Sequence, residues 1–203
     1  MTDMYLPKLR EITEALRSLF SAPYTTKFPK VPYTAPKEYR GFPVYDEENC
    51  IGCGTCAQVC PTDAIEIIDD KENRRRTLRI NYASCSQCGQ CVEKCITEKG
   101  IKLSDKYSIL VSDIKAPEVF EYVEKELAIC EICGEVIACS DHLQWIKERL
   151  GAKAYANPNF LLESQKEFTE VAPSSPKDRI RREDLIKEVC PKCRHKIVVR
   201  DEF

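Results

Sequence analysis

Eight cysteines in the first half of the chain fall into two runs with the same spacing. Both runs read C-x2-C-x2-C-x3-C, and the second begins 35 residues after the first. The first run is Cys50, Cys53, Cys56 and Cys60, and the second is Cys85, Cys88, Cys91 and Cys95. Three thiolates at these intervals can reach three corners of a [4Fe-4S] cube from one loop. The spacing therefore predicts two iron–sulfur clusters.

The fourth cysteine of each run points away from its own loop, because it follows a helical turn. In proteins with two such clusters, this cysteine binds the other cluster. We therefore assign crossed ligand sets: cluster 1 has Cys50, Cys53, Cys56 and Cys95, and cluster 2 has Cys60, Cys85, Cys88 and Cys91. A cube whose four irons all carry thiolate has no open position for a substrate. The predicted chemistry is one-electron transfer.

Disulfide bonds or a structural zinc site could also account for cysteines in these two runs. Two observations oppose them. The chain has 13 cysteines, which is an odd number, and its first residues do not resemble a secretory signal. Both features favour a reducing compartment and metal binding.

A second group of cysteines lies in the second half of the chain. It consists of two C-x2-C turns, Cys130 with Cys133 and Cys190 with Cys193. Each turn can present two thiolates to one tetrahedral Zn²⁺, so we predict a structural zinc site without an open position. Two alternatives remain at this stage, a third iron–sulfur cluster and a local zinc site formed by Cys130, Cys133, Cys139 and His142. His195 is a further candidate for a substitute zinc ligand.

Three segments must position these cysteines, and together they predict an α+β fold. Residues 1–43 are an amphipathic helix and a proline-rich arm, residues 44–112 are a bacterial-type two-[4Fe-4S] ferredoxin domain, and residues 113–203 are a helical, zinc-ribbon-like domain. The third segment has helical apolar spacing in three places. These are Pro117–Leu127, Asp141–Leu150 and Arg179–Val189.

The predicted N-terminal helix spans residues 2–20 and has one apolar stripe. The stripe consists of Leu6, Leu9, Ile12, Leu16, Leu19 and Phe20. It can pack on the chain's own core, on a partner subunit or on a membrane surface. The prolines between Pro23 and Pro43 predict an extended arm that cannot fold on itself, and this favours docking on a partner.

Charge and motifs exclude several function classes. The formal net charge is −2, and two clusters with one zinc would bring it to about −8, which opposes nucleic-acid binding. The chain contains no phosphate-binding loop, dinucleotide fingerprint, H-E-x-x-H motif or nucleophile elbow. We therefore predict no catalytic residue and no substrate site of its own. It also lacks an apolar run long enough to span a membrane.

Part of the chain resembles the ferredoxin-like subunit of respiratory complex I and of membrane-bound [NiFe] hydrogenases. The stretches that carry the resemblance are Pro32–Gly41, the first cysteine run and Pro61–Ile65. The two late C-x2-C turns are more similar to the subunit of formate hydrogenlyase and related group 4 hydrogenases. This resemblance implies an electron relay at the cytoplasmic, peripheral face of the cell membrane. Its implied partners are a catalytic large subunit, a cluster-bearing small subunit and a donor iron–sulfur subunit. Ile96 departs from the pattern, since the first run has Pro61 there.

Three other functions remain open at this stage. The first is a freestanding soluble ferredoxin, which would need neither the arm nor the zinc domain. The second is the equivalent relay subunit of a complex I-like quinone or sulfur reductase. The third, a metal-dependent regulator of DNA, would need a basic face that the charge balance does not predict.

Overall fold

The structure, a computed structural model, describes residues 8–28, 30–31, 33–36, 38–166 and 182–199. The chain forms two compact units, Met1–Ala35 and Pro36–Phe203. None of the helices in the described ranges is both long and apolar enough to cross a membrane.

The first unit contains one helix, α1, at Leu9–Phe20. The Lys8 amide donates to Glu11 Oε2 at 3.0 Å at its start, and the Ser21 amide donates to the Arg17 carbonyl at 2.9 Å at its end. The predicted helix is confirmed over these residues, while residues 2–7 lie outside the described ranges. No residue of α1 is buried. Its apolar side chains are therefore exposed within this unit.

The described residues of the second unit form six strands and five further helices. The strands are β1 Pro43–Tyr45, β2 Ile65–Asp70, β3 Arg75–Asn81, β4 Ile101–Leu103, β5 Phe120–Ile129 and β6 Val136–Cys139. The helices are α2 Thr55–Gln58, α3 Gln90–Glu93, α4 Ser140–Leu150, α5 Pro158–Lys166 and α6 Pro191–Val199. Short 3-10 turns lie at Pro117–Val119, Gly151–Ala156 and Arg182–Ile186. The fold is therefore a mixture of helices and sheets, as predicted.

The strands form two antiparallel sheets. β1 pairs with β4, and the larger sheet has the order β2-β3-β5-β6. β5 lies beside β3 over seven residue pairs, from Arg75 opposite Glu126 to Asn81 opposite Phe120. The long strand β5 thus joins the cysteine-bearing half of the chain to the segment that follows it.

The three helices predicted for residues 113–203 have different outcomes. The helix that we predicted at Pro117–Leu127 is wrong, because most of that segment is the strand β5. The helix predicted at Asp141–Leu150 is confirmed as α4. Of the segment Arg179–Val189, the described part contains only the 3-10 turn at Arg182–Ile186, and residues 179–181 lie outside the described ranges.

The main core lies between the large sheet and the cysteine-bearing loops. Leu78 and Ile80 of β3 are almost completely buried, and Val123 of β5 is buried beside them. The Tyr82 hydroxyl donates to the Pro43 carbonyl at 2.9 Å. Cysteines of both runs are also part of this core. In so small a core, bound metal adds stability that apolar burial alone does not supply.

Candidate metal centres

Each cysteine run leads into a short helix, α2 in the first run and α3 in the second. Each helix follows a glycine with a left-handed backbone, Gly54 (φ 77°) and Gly89 (φ 79°). Glycine adopts such φ values without strain because it has no Cβ. The two glycines are 35 residues apart, as the two runs are. The sequence repeat is thus a repeat of local structure.

The first cavity in this domain has cysteines on several sides. Its walls include apolar side chains of β3 and β4, Leu78 and Ile101. The cysteines that line it are Cys50, Cys53, Cys56 and Cys95. Three of them belong to the first run, and the fourth closes the cavity from the end of the second run.

The second cavity repeats this arrangement with the runs exchanged. Its apolar walls include Ile65, Ile80 and Leu103. The cysteines that line it are Cys60, Cys85, Cys88 and Cys91. Each cavity therefore combines three cysteines of one run with the last cysteine of the other, and the groupings coincide with the two sets that the spacing suggests.

Backbone amides are directed at several of these sulfurs. The Ala64 amide donates to Cys60 Sγ at 3.3 Å, and the Gln87 amide donates to Cys85 Sγ at 3.4 Å. Burial raises the pKa of Cys60, but hydrogen bonds from Thr62 and Ala64 outweigh it, and the thiol pKa falls below its ordinary value. Amides of this kind stabilise the thiolate, which is the form that binds metal.

Cys56, in α2, has the opposite environment. Burial raises the pKa of its thiol to about 12. The Tyr45 hydroxyl is 3.7 Å from Cys56 Sγ, and burial raises the pKa of Tyr45 well above its ordinary value. Tyr45 therefore stays protonated, and its hydroxyl can donate a hydrogen bond to the Cys56 sulfur. A thiol like Cys56 loses its own proton when it binds a metal ion.

The loop of the first run is also held from outside by the large sheet. Gly52 has φ 67°, and a Cβ there would lie 2.5 Å from Cys139 Sγ. The Gly52 carbonyl accepts hydrogen bonds from Cys139 Sγ at 3.3 Å and from Arg76 Nη1 at 3.1 Å. Cys139 is completely buried. The hydrogen bond from Cys139 therefore links β6 to the loop of the first cysteine run.

The two late C-x2-C turns meet although almost sixty residues separate them. The four sulfurs of Cys130, Cys133, Cys190 and Cys193 all lie within 4.8 Å of one another. Within the described ranges, no other group of three or more His, Cys, Asp or Glu residues is gathered so tightly. Cys139, His142 and His195 do not belong to this group.

Hydrogen bonds between the flanking segments hold the two turns together. The Glu131 amide donates to the Glu188 carbonyl at 2.9 Å, and the Glu188 amide donates to Glu131 Oε1 at 3.1 Å. Asn159, which is buried in α5, donates to the Val189 carbonyl at 3.1 Å and accepts from Arg194 Nη2 at 2.8 Å. Sequence reasoning missed Asn159, because nothing near it in the chain indicates its distant partners.

Within this group, the electrostatics favour the thiolate of Cys130 over that of Cys193. Burial raises the pKa of Cys130, but backbone amides of Cys190, Cys133 and Ile132 outweigh it and lower the thiol pKa to about 7. Burial raises the pKa of Cys193 instead. Because the four sulfurs are so close, adding further negative charges without a cation would be unfavourable. The donor set therefore suits a divalent metal ion with thiolate ligands.

Comparison with known proteins agrees with the cysteine geometry in the first half of the chain. Residues 37–99 match the family model of the 4Fe-4S dicluster domain. This segment is a 4Fe-4S dicluster domain. The chain is accordingly an iron–sulfur protein, and the two cysteine-lined cavities lie in its dicluster domain.

Relatives of the chain extend the match beyond the dicluster domain. NAD(P)H-quinone oxidoreductase subunit I of Gloeobacter violaceus is 29% identical over 97 residues, which are 45% of this chain and 46% of the relative. Formate hydrogenlyase subunit 6 of Escherichia coli is 28% identical over 121 residues, covering 60% of this chain and 66% of the relative. The chain thus matches about half of the first relative's length and less than two thirds of the second's.

A chain in the structure of an archaeal membrane-bound sulfane sulfur reductase is also similar. It is 29% identical, with a TM-score of 0.40, and the match covers 55% of this chain and 60% of that one.

Proposed function

We propose that this chain is the electron-transfer subunit of a membrane-associated, multisubunit oxidoreductase. The favoured complex is a group 4 [NiFe] hydrogenase or a formate hydrogenlyase. The observation that carries the proposal is the pair of cavities, each lined by four cysteines. Four thiolates occupy all four irons of a cubane cluster, which leaves none for a substrate. The similarity to formate hydrogenlyase subunit 6 supports this choice of complex.

The ligand sets that we propose follow the two cavities. Cluster 1 is held by Cys50, Cys53, Cys56 and Cys95, and cluster 2 by Cys60, Cys85, Cys88 and Cys91. When bound, each cluster supplies transfer of one electron at a time. The protein supplies the apolar walls, the amide donors to sulfur and the fixed separation of the two cavities. These features suit a relay that accepts an electron on one side and passes it on.

For the late cysteines we propose a structural zinc ion bound by Cys130, Cys133, Cys190 and Cys193. Tetrahedral zinc with Zn–S bonds of about 2.3 Å keeps its sulfurs about 3.8 Å apart. Cys133 Sγ and Cys190 Sγ are 3.7 Å apart, which supports zinc. A cubane cluster would hold its thiolates farther apart because each binds a different iron. Four thiolates fill the coordination sphere, so the zinc has no catalytic role.

The proposed zinc site gives a prediction for the purified protein. Anaerobically prepared chain should contain about eight iron, eight sulfide and one zinc. Cys190→Ser should lose the zinc and loosen the segment around α5 and α6, yet keep about eight iron. Elemental analysis measures the zinc and iron contents, and hydrogen exchange measures the loosening of the segment.

His195→Ala is the matched control for Cys190→Ser, because His195 lies on α6 but outside the sulfur group. It should retain zinc. Loss of zinc from His195→Ala with retention in Cys190→Ser would refute the proposed ligand set. Loss of iron from Cys190→Ser would indicate that the late cysteines bind an iron–sulfur cluster instead.

The proposed partners are a catalytic large subunit, a cluster-bearing small subunit and a donor iron–sulfur subunit. The exposed apolar face of α1 supports docking, since Leu9, Leu19 and Phe20 expose about three quarters or more of their surface. The proposed location is the cytoplasmic, peripheral face of the membrane. The dicluster domain itself offers no apolar surface of this kind in a single helix.

Gel filtration of a mildly solubilised native membrane extract tests this function. We expect the chain to elute in a large complex together with a hydrogenase-type large subunit. A freestanding ferredoxin would elute alone at about the size of a 23.3 kDa chain. Elution with a quinone- or sulfur-reducing complex instead would keep the relay function and change the proposed terminal reaction.

A further inference from the structure

Two basic residues of the large sheet lie directly opposite each other beside the loop of cluster 1. Arg76 of β3 is the cross-strand partner of Lys125 of β5. Like charges in this position normally destabilise a sheet. Both side chains are also largely buried, with 15% of Arg76 and 11% of Lys125 exposed. Two buried cations at adjacent positions are stable only when negative charge lies close to both of them.

Both residues contact the segment that carries the first cysteines. Arg76 Nη1 donates to the Gly52 carbonyl at 3.1 Å, and Lys125 Nζ donates to the Glu47 carbonyl at 2.7 Å. The Lys125 Cβ lies 3.1 Å from the position that a Cβ on Gly52 would occupy. Gly52 is in the loop between Cys50 and Cys53. The two cations therefore flank the ligands of cluster 1.

Each cation also has a carboxylate partner. Arg76 pairs with Asp69 at 2.7 Å, and Lys125 pairs with Asp141 at 2.9 Å. The carboxylates are more exposed than their partners, at 26% for Asp69 and 49% for Asp141. Water screens exposed charge more effectively than buried charge. The two carboxylates therefore offset the buried cations only in part.

The second cavity has a different environment. The residues that line either cavity are uncharged, so the difference lies in the charged groups behind them. Next to the second cavity, the Tyr82 hydroxyl is 3.5 Å from the carboxylate of Glu121. The ion pair beside its lining residues Ile65 and Ile80, Glu66 with Arg79, is 58% and 44% exposed, whereas the two bases behind the first cavity are largely buried.

We propose that Arg76 and Lys125 raise the reduction potential of cluster 1 above that of cluster 2. The step is the addition of one electron from an external reductant, with no bond made or broken. Cations near Cys50 and Cys53 would stabilise the added negative charge, whereas the described residues beside the second cavity include no such buried pair of bases. An electron that enters the pair of clusters therefore resides mainly on cluster 1. This inference relies on the ligand sets given under the proposed function.

A redox titration of the full-length chain, followed by EPR and with dithionite as reductant, tests the inference. Cluster 1 of the unmodified chain should be reduced first. Arg76→Met and Lys125→Met should each make reduction of cluster 1 about tenfold less favourable, which is about 59 mV for a one-electron couple. The midpoint of cluster 2 should move much less. Arg76→Lys keeps the charge and should recover most of the shift.

Two exposed bases are matched controls, one on β3 and one in the turn between β2 and β3. Arg75 is adjacent to Arg76 but pairs with Glu124 and is 64% exposed, and Lys71 pairs with Glu135 and is 50% exposed. Arg75→Met and Lys71→Met remove the same charge and should leave both midpoints nearly unchanged. Shifts in these controls as large as that of Arg76→Met would overturn a specific role for the buried pair.

Iron and sulfide analysis separates failure of this inference from failure of the proposed function. Variants that contain about eight iron but keep the original midpoint of cluster 1 would overturn the inference and leave the two-cluster relay intact. Earlier reduction of cluster 2 in the unmodified chain would do the same. If Arg76→Met loses iron, the midpoint of cluster 1 in Lys125→Met is the measurement that tests the inference. Failure of the unmodified chain to hold two clusters would instead refute the proposed function.

Discussion

Replacing Cys95 with serine should remove the cluster built on Cys50 and Cys53, although Cys95 belongs to the other cysteine run. The reason is geometric, since Cys95 lines the first cavity and not the second. Iron should fall from about eight to about four per chain, and one of the two reduced-state EPR signals should disappear. Iron analysis and EPR of anaerobically reduced protein measure the effect.

A set of serine variants assigns the lost signal without reference to any other protein. Cys53→Ser and Cys95→Ser should lose the same signal, because both cysteines line the first cavity. Cys88→Ser and Cys60→Ser should lose the other one. If Cys95→Ser instead matched Cys88→Ser, each run would bind its own cluster and the crossed assignment would be wrong.

Local ligand geometry explains why the dicluster domain could be predicted from the sequence. Three cysteines at two-residue intervals must share one loop, and the repeat extends to the glycines that begin α2 and α3, Gly54 and Gly89. These features depend on only a few neighbouring residues. The family match over residues 37–99 agrees with this prediction.

The strand β5 shows where local reasoning failed. Val123 and Leu127 are four residues apart, as on one face of a helix, and we predicted a helix over Pro117–Leu127. Residues 120–126 instead pair with β3, and both of these side chains are buried. The edge of β3 comes from a distant part of the chain, so nearby residues do not indicate it. Tertiary pairing overrode the local pattern.

The contacts that hold the loop of the first cysteine run could not be predicted from the sequence, for the same reason. In the sequence, Arg76 is the last of three consecutive arginines, and no residue near it indicates a contact with the cysteine runs. In the structure it bonds Asp69 and the Gly52 carbonyl. Cys139 was a candidate zinc ligand, yet its sulfur donates to the same carbonyl. Both roles require distant segments of the chain to meet at one glycine, which residue spacing does not encode.

The last prediction concerns the first unit, and the structure determines how much of it can be removed. Gly41 and Phe42 donate their amides to the Ser104 and Lys106 carbonyls at 3.1 and 2.8 Å, and Pro43 begins β1. A deletion through residue 43 would therefore damage the core of the second unit. Deleting residues 1–35 removes the first unit alone. Both clusters should remain, since every proposed ligand lies later in the chain.

This deletion should release the chain from its complex and abolish electron flow between donor and catalytic subunits. The apolar face of α1 has no partner within its own described unit, and burying about 200 Å² of it on another subunit would contribute about 5 kcal/mol. Losing about 5 kcal/mol would lower the association constant of the chain for its complex more than a thousandfold. Copurification of a tagged chain from solubilised membranes, with iron analysis of the released chain, measures both outcomes.

Point variants keep the length of the chain and test the apolar face directly. Leu16→Gln with Leu19→Gln removes two exposed leucines from the stripe and should also release the chain. Glu14→Gln with Arg17→Gln changes an exposed ion pair on the same helix, whose contribution is small, and should leave copurification unchanged. Full copurification of both the leucine variant and the deletion would show that α1 does not hold the subunit in place. The dicluster domain would then have to carry the docking surface itself.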